Sequence, residues 1–476
     1  MLGVRAEDGK EKQSAQGKHK KDAKHIILMV GDGMNIEHEI ATSRYLFGND
    51  LDLSFHQLPY QANMATWDVT TYKYWSGGVY DFNAIDPDMG YDPSRGGKQP
   101  YPLGPELPGA RDYLTAIATD SASAATAWST GYKTDGGNIA WLPGDPEGGA
   151  LKTIAELLRE RKGFAIGAVS TVPFTHATPA GFVSHNKSRN NYHAIGAEIL
   201  NEVKPEVVIG GGHPGCDGTP TFNYISATEY NNLKSGFYSD EYVFVERTSG
   251  VDGGVSVLAA AQKAVSEGKK LFGLFGLERA GNFESLEPQD MPGTPLVLQA
   301  TRENPTYAEA TLAALKVLSQ DPDGFFLISE QGDIDWANHA NDFKRMVGTT
   351  KDLHDGVQAV IDFVNQPGDG MDWDNTLIIV TSDHSNSYMR NQVKMAAGDL
   401  PRQDGMDYPD GEVTYESTDH TNELVRLYAV GADTEKFFKY EGRWYPGTRI
   451  LDNTQLFHIM MEAAGEAVES PLNTVP

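Results

Sequence analysis

Short apolar runs alternate with stretches of helical periodicity along most of this chain. The runs at 25–30, 164–169, 206–209, 271–274, 325–328, 376–380 and 425–430 are apolar at nearly every position. Such runs predict strands buried on both faces rather than strands with one wet side. Between them, TIAELLRERKG (153–163) places Ile154, Leu157 and Leu158 on one helical face, with Gly163 set to cap it. NPTYAEATLAALKVLSQ (304–320) has Pro305 near a helix start and an Ala/Leu stripe after it, and residues 344–364 repeat the helical period. Strand–helix alternation of this kind predicts an α/β fold: a large, mostly parallel central sheet with helices on both faces.

Two segments interrupt the alternation. Residues 66–112 are rich in Gly, Pro, Tyr and Trp with few helical signals, and 390–418 contain GDLPRQDGMDYPDGE, which reads as a loop. Both are expected to be insertions in one domain spanning 25–476, lining a site or an oligomer interface. DPDMGYDP (86–93) lacks the spacing of an EF-hand calcium loop. Residues 1–24 form a polar tail with six lysines and no apolar stretch of the kind a secretion signal carries, as a processed chain would. No run approaches the ~20 apolar residues of a membrane helix.

Charge narrows the partners. Sixty-six acidic against 39 basic residues give a net charge of −27, which argues against nucleic acid and anionic membranes and is expected to aid solubility at high salt. An anionic substrate would then need a local positive site, which bound divalent metals could supply. The single cysteine, Cys216, excludes an internal disulfide and reads as a chance thiol.

Metal-binding residue types gather where the strands end. The 25–30 run leads to Asp32, the 164–169 run to His176 and Thr178, the 325–328 run to Glu330, and the 376–380 run to Asp383 and His384. Carboxyl ends of parallel strands share one crevice, so these side chains are expected to converge. In EQGDIDWANH, Asp335 and His339 lie four apart and would share a helical face. Taken alone, that run is equally a charged, solvated loop. Asp335, His339 and His420 would make an O/N set with an open position, as catalytic zinc requires. Asp32, Asp383 and His384 would make a second such set. Glu330, Thr178 and a shared Asp32 offer only oxygens, which suits Mg2+.

Ser121 opens TDSASAATAWSTGYKT (119–134), whose alanines propagate a helix that Gly131 can end. A serine there faces unpaired N–H groups and the positive helix end, which favour a bound anion, and metal coordination could activate its hydroxyl. Equally, Ser121 or Asp120 could be only a helix cap. Arg189 offers a planar guanidinium that fits two phosphate oxygens. His25, His38, His185 and His354 have no such company and read as structural or surface residues.

In this order, GDGM at Asp32, TDSASAATA at Ser121, HATPA through SR from His176 to Arg189, EQGDIDWANH from Glu330 to His339, TSDHS at Asp383 and DHT at His420 resemble the alkaline phosphatase family. The resemblance runs from about residue 25 to the C-terminus. It implies a three-layer sandwich and hydrolysis of phosphate monoesters at alkaline pH, with broad substrate range. By the same resemblance, Ser121 would become phosphoserine, Arg189 would clamp phosphate, and Asp120 would orient Arg189. Asp335, His339 and His420 would hold one Zn2+; Asp32, Asp383 and His384 would hold a second; Asp32, Thr178 and Glu330 would hold Mg2+. His176 and Trp336 stand where some bacterial members have Asp and Lys, a pairing similar to that of marine, cold-adapted members; His176 is expected to reach the third metal site, directly or through water, and Trp336 to shape the pocket by apolar packing. A homodimer and a periplasmic or secreted location are further expectations of the resemblance.

Rival readings within the superfamily fit less well. Its diesterases generally use Thr as nucleophile and lack the arginine clamp; its sulfatases need a Cys or Ser in a C/S-x-P-x-R setting, whereas Cys216 precedes Asp217 and Ser121 precedes Ala122. A non-catalytic metal- or phosphate-binding protein would be expected to lose Ser121 or some ligands.

Overall fold

The computed structural model describes residues 22–215, 219–277, 281–368 and 370–467. The N-terminal segment up to residue 21 and Cys216 lie outside the described residues. Among the described residues, ten strands form one sheet. From edge to edge they run Ile450–Asp452, Tyr60–Ala65, Val425–Gly431, Thr376–Thr381, His25–Gly31, Phe325–Gln331, Ala165–Pro173, Val207–Gly211, Lys270–Leu274 and Tyr242–Glu246. Only Val425–Gly431 runs antiparallel to its neighbours. All seven strands expected from the sequence are present.

Two-sided burial explains the apolar runs. Along the central strand, Ile26, Leu28 and Val30 join one core cluster, while Ile27 and Met29 join the other. The same alternation holds for Phe326 and Ile328 against Phe325 and Leu327. Successive strand side chains point to opposite faces, so neither face of these strands can be polar. Helices Ser121–Thr130, Ile154–Lys162, Ala177–Val183 and Asn453–Ala463 cover the first face. Helices Gly253–Glu267, Tyr307–Leu318 and Phe343–Val364 cover the second.

Register then sets the site. Val30 pairs with both Thr381 and Glu330, so the central strands end at one level. Asp32, Glu330 and Asp383 therefore leave the sheet side by side at its carboxyl edge.

Three strands of this sheet escaped the sequence reading. Tyr60–Ala65 carries Gln61 and Asn63 among its apolar positions, Ile450–Asp452 has only three residues, and Tyr242–Glu246 is an edge strand with half-buried positions. The 66–112 segment is also more helical than expected. It contains Val69–Trp75, Pro93–Gly96 and Ala110–Leu114, too short to show a period. Asp68, Asp86 and Asp92 cap its turns with their side chains, which accounts for the acidic DPDMGYDP run. Trp67, Tyr72, Tyr91 and Tyr113 form an aromatic core there with Tyr388 and Tyr445. Within 390–418, Arg390–Asn391 pairs with Val413–Thr414.

Candidate active site

Ser121 is the first residue of the Ser121–Thr130 helix and is almost fully buried. Asp120 caps the helix, accepting from the Ser123 amide at 3.0 Å, and Gly131 ends it at φ 76. The left-handed φ at the end is one glycine adopts without strain. Ser121 Oγ lies 3.2 Å from His384 Nε2, which joins this helix to the Asp383–His384 strand end.

The Asp333–His339 helix puts Asp335 and His339 on one face, with Asp335 Oδ2 3.3 Å from His339 Nε2. His420 closes the set, its Nε2 3.5 Å from Asp335 Oδ1. Each ring is fixed by a backbone carbonyl: His339 Nδ1 lies 2.6 Å from Thr418 O, and His420 Nδ1 lies 2.9 Å from Thr119 O. Gly33 makes the close packing possible. A Cβ there would lie 2.6 Å from Asp335 Oδ1, and its φ is +66.

The second set adjoins the first. His384 Nε2 is 3.1 Å from Asp383 Oδ2 and 3.4 Å from Asp32 Oδ1, and its ring stacks on His420 at 3.5 Å. Ligand-type atoms of Asp32, Asp335 and His384 lie within 4.8 Å of one another, as do those of Asp335, His339 and His420. Asp335 thus faces both sets, a sharing the sequence did not reveal.

The all-oxygen group is equally compact. Thr178 Oγ1 is 3.5 Å from Asp32 Oδ2, and Glu330 takes a short hydrogen bond from Ser170. Burial, then the charges of Asp383, Asp335 and Glu330, push the Asp32 carboxyl well up. Burial also pushes Glu330 up to about 7, with the Asp383 charge adding to it. Glu330 Oε1 is buried with no hydrogen-bond donor, and the buried Asp32 Oδ1 and Asp383 Oδ2 have only the His384 ring nitrogen near them. Uncompensated buried carboxylates are costly, so this donor set fits divalent cations.

Arg189 Nη1 donates to Asp120 Oδ2 at 3.0 Å, and its Nη2 lies 3.4 Å from His176 Nε2. Burial pushes the Asp120 carboxyl up, but the Arg189 charge and hydrogen bonds from Ser123 and Gly137 outweigh it and hold the group well below the usual carboxylate range. Asp120 is therefore both helix cap and arginine anchor. Arginine only donates, so His176 Nε2 accepts and the ring's proton sits on Nδ1. Burial and then the Arg189 charge lower His176 to about 3, which keeps it neutral. Trp336 meets the His176 ring edge-on at 5.7 Å, and Tyr192 stacks on the ring at 6.3 Å.

The alkaline phosphatase family model matches residues 109–400. This chain belongs to the alkaline phosphatase family. Alkaline phosphatase 3 of Bacillus subtilis is 29% identical over 381 residues, covering 78% of this chain and 64% of that protein. The match thus spans just under two thirds of that relative's length. The Escherichia coli alkaline phosphatase is 28% identical, covering 94% of this chain and 87% of that one. The alkaline phosphatase structure from the Antarctic bacterium TAB5 shares the fold, with TM-score 0.61 and 21% identity over 94% of this chain and 99% of that chain.

In this family member the expected site residues lie together at the carboxyl edge of the sheet. Sequence reasoning missed the groups that orient them. Asn386 donates to Asp335 Oδ1 at 2.6 Å, and Asp68 accepts from Ser123 Oγ at 2.9 Å. Asn386 lies two residues past His384 and was findable by position. Asp68 enters from the 66–112 segment, which no local pattern ties to Ser121. Among the described residues, no helix is long and apolar enough to cross a membrane.

Proposed function

We propose that this crevice hydrolyses phosphate monoesters through a phosphoserine at Ser121. The observation that carries the reading is Ser121 Oγ at a helix N-terminus, 3.2 Å from His384 Nε2, beside the buried carboxylates of Asp32, Glu330 and Asp383. Ser121 Oγ forms a bond to phosphorus as the ester P–O bond breaks and the alcohol leaves. Water then attacks the phosphoserine, the P–Oγ bond breaks, and inorganic phosphate is released. Unpaired amides at the helix start and the Arg189 guanidinium, aimed by Asp120, offset charge on the non-bridging oxygens. Asp335, His339 and His420 would hold one Zn2+, Asp32, Asp383 and His384 a second, and Asp32, Thr178 and Glu330 one Mg2+. Bound there, these ions would lower the pKa of hydroxyl and water and neutralise the carboxylate cluster. A TAB5 alkaline phosphatase variant with a histidine replaced by aspartate has Mg bound in its M3 site; here neutral His176, with Nδ1 unpartnered, would tune the third site. A homodimer, action in the periplasm or outside the cell, and tolerance of high salt from the −27 charge complete the reading.

The test is Ser121→Ala with an aryl phosphate monoester and the matching bis-aryl diester. The wild type should release phosphate from the monoester far faster than it cleaves the diester, and the variant should lose this activity by at least about a thousandfold. Undiminished turnover in the variant overturns the nucleophile assignment; a preference for the diester overturns the substrate class.

A further inference from the structure

His185 stands between two carboxylates with acceptors on both ring nitrogens. Nδ1 lies 2.8 Å from Glu198 Oε1; Nε2 lies 3.0 Å from Leu151 O and 3.2 Å from Glu156 Oε2. A neutral imidazole has one donor and one acceptor nitrogen, so it would turn a lone pair on a carboxylate. Only the doubly protonated ring satisfies every partner. The backbone adds to the clamp, since the His185 amide donates to Glu198 Oε2 at 3.0 Å.

Location gives the clamp a role. His185 begins the segment that leaves the Ala177–Val183 helix and carries Arg189 to the Tyr192–Glu198 helix. Next to it, Asn186 and Ile139 exchange backbone hydrogen bonds at 2.8 and 2.9 Å, and the Arg189 amide donates to Gly137 O at 2.8 Å. Gly137 in turn donates to Asp120 Oδ1 at 3.1 Å. The guanidinium, its Asp120 anchor and the 137–139 stretch thus form one unit. His185 ties this unit to two helices, Ile154–Lys162 through Glu156 and Tyr192–Glu198 through Glu198.

We propose that His185 is a positioning residue for Arg189, fixing as an imidazolium the base of the segment that presents the guanidinium to phosphate. The proposal rests on the phosphatase reading of the crevice. The other charged groups around the ring are already engaged or face solvent. A cleft of about 300 Å3 there is lined by Glu156, Arg159, Glu160, Glu198 and Glu202. Arg159 pairs with Glu206, and Glu160 pairs with Lys152. Burial alone would lower the His185 pKa, but hydrogen bonds and charges of Glu156 and Glu198 outweigh it and raise it to about 10. Above that pH one nitrogen would turn a lone pair on a carboxylate, and the clamp would open.

The experiment measures inorganic phosphate affinity of metal-loaded wild type, His185→Gln and His185→Arg from pH 8 to 11. At pH 8 the Gln variant should bind phosphate roughly tenfold more weakly, while Arg, which keeps the charge, recovers most of the loss. Comparing variant with wild type cancels titrations common to both, so the ratio should fall towards one as pH passes about 10. A pH-independent ratio, or a Gln variant that binds like wild type, overturns the proposal. Should the Gln variant fail to fold, nitrogen NMR of the wild-type ring decides: imidazolium at pH 8 supports the proposal, and a neutral ring overturns it. A wild type that neither binds nor hydrolyses phosphate esters overturns the phosphatase reading, and this inference with it.

Discussion

His339 and His420 point their Nε2 atoms at each other, 3.2 Å apart, although each ring directs its Nδ1 at a backbone carbonyl. A carbonyl fixes the proton on Nδ1, which leaves two Nε2 lone pairs facing. Two lone pairs at that distance repel unless a proton or a metal ion lies between them, and Asp335, beside both, favours positive charge there. Folding stability should therefore depend on divalent metal. A ligand at a hundred times its Kd stabilises by about 2.7 kcal/mol. Thermal unfolding with excess chelator should shift down by several degrees and recover with Zn2+, and His420→Ala should blunt the shift. A melting curve indifferent to chelator contradicts the metal set.

The two duties of Asp120 can be separated. Asparagine caps helices about as well as aspartate, so Asp120→Asn should keep its thermal stability. It removes the charge that holds Arg189, so KM and the phosphate inhibition constant should rise by roughly tenfold. Asp120→Ala should show the same kinetic loss and a further stability loss of about 1 kcal/mol. If the Asn variant kept wild-type phosphate affinity, the Asp120–Arg189 pair at 3.0 Å would not be the anchor.

His185 also makes a stability prediction, with its sign set by linkage. Its folded pKa, about 10, lies above the ordinary 6.5. The contribution is therefore complete below pH 6.5, declines between 6.5 and about 10, and is gone above that. The melting-temperature gap between wild type and His185→Gln should be widest near pH 6 and close by about pH 10. A gap that widens with pH would show that the ring is not charged in the fold.

The fold was legible where burial is two-sided. Leu28 and Ile328 lie in strands covered on both faces, and such strands announce themselves as continuous apolar runs. Tyr60–Ala65 did not, because Gln61 and Asn63 bind Arg426 across the strand pair and break the run. Candidate site residues were legible because parallel strands deliver Asp32, Glu330 and Asp383 to one edge. What could not be read was contact between distant segments. Nothing near Asp335 marks it as facing His384 as well as His420, and nothing near His185 shows that Glu156 and Glu198 would enclose it. Both depend on how helices seat against the sheet, which sequence spacing does not encode.

A phosphoserine at Ser121 can be trapped. Metal-loaded enzyme is mixed with a phosphate monoester, quenched in acid and digested, and the phosphorylated peptide is identified by mass spectrometry. One phosphoryl group is expected on Ser121, absent from the Ser121→Ala variant. Phosphate release at the normal rate with no phosphoryl group on Ser121, or with one on another residue, would contradict the Ser121 phosphoserine.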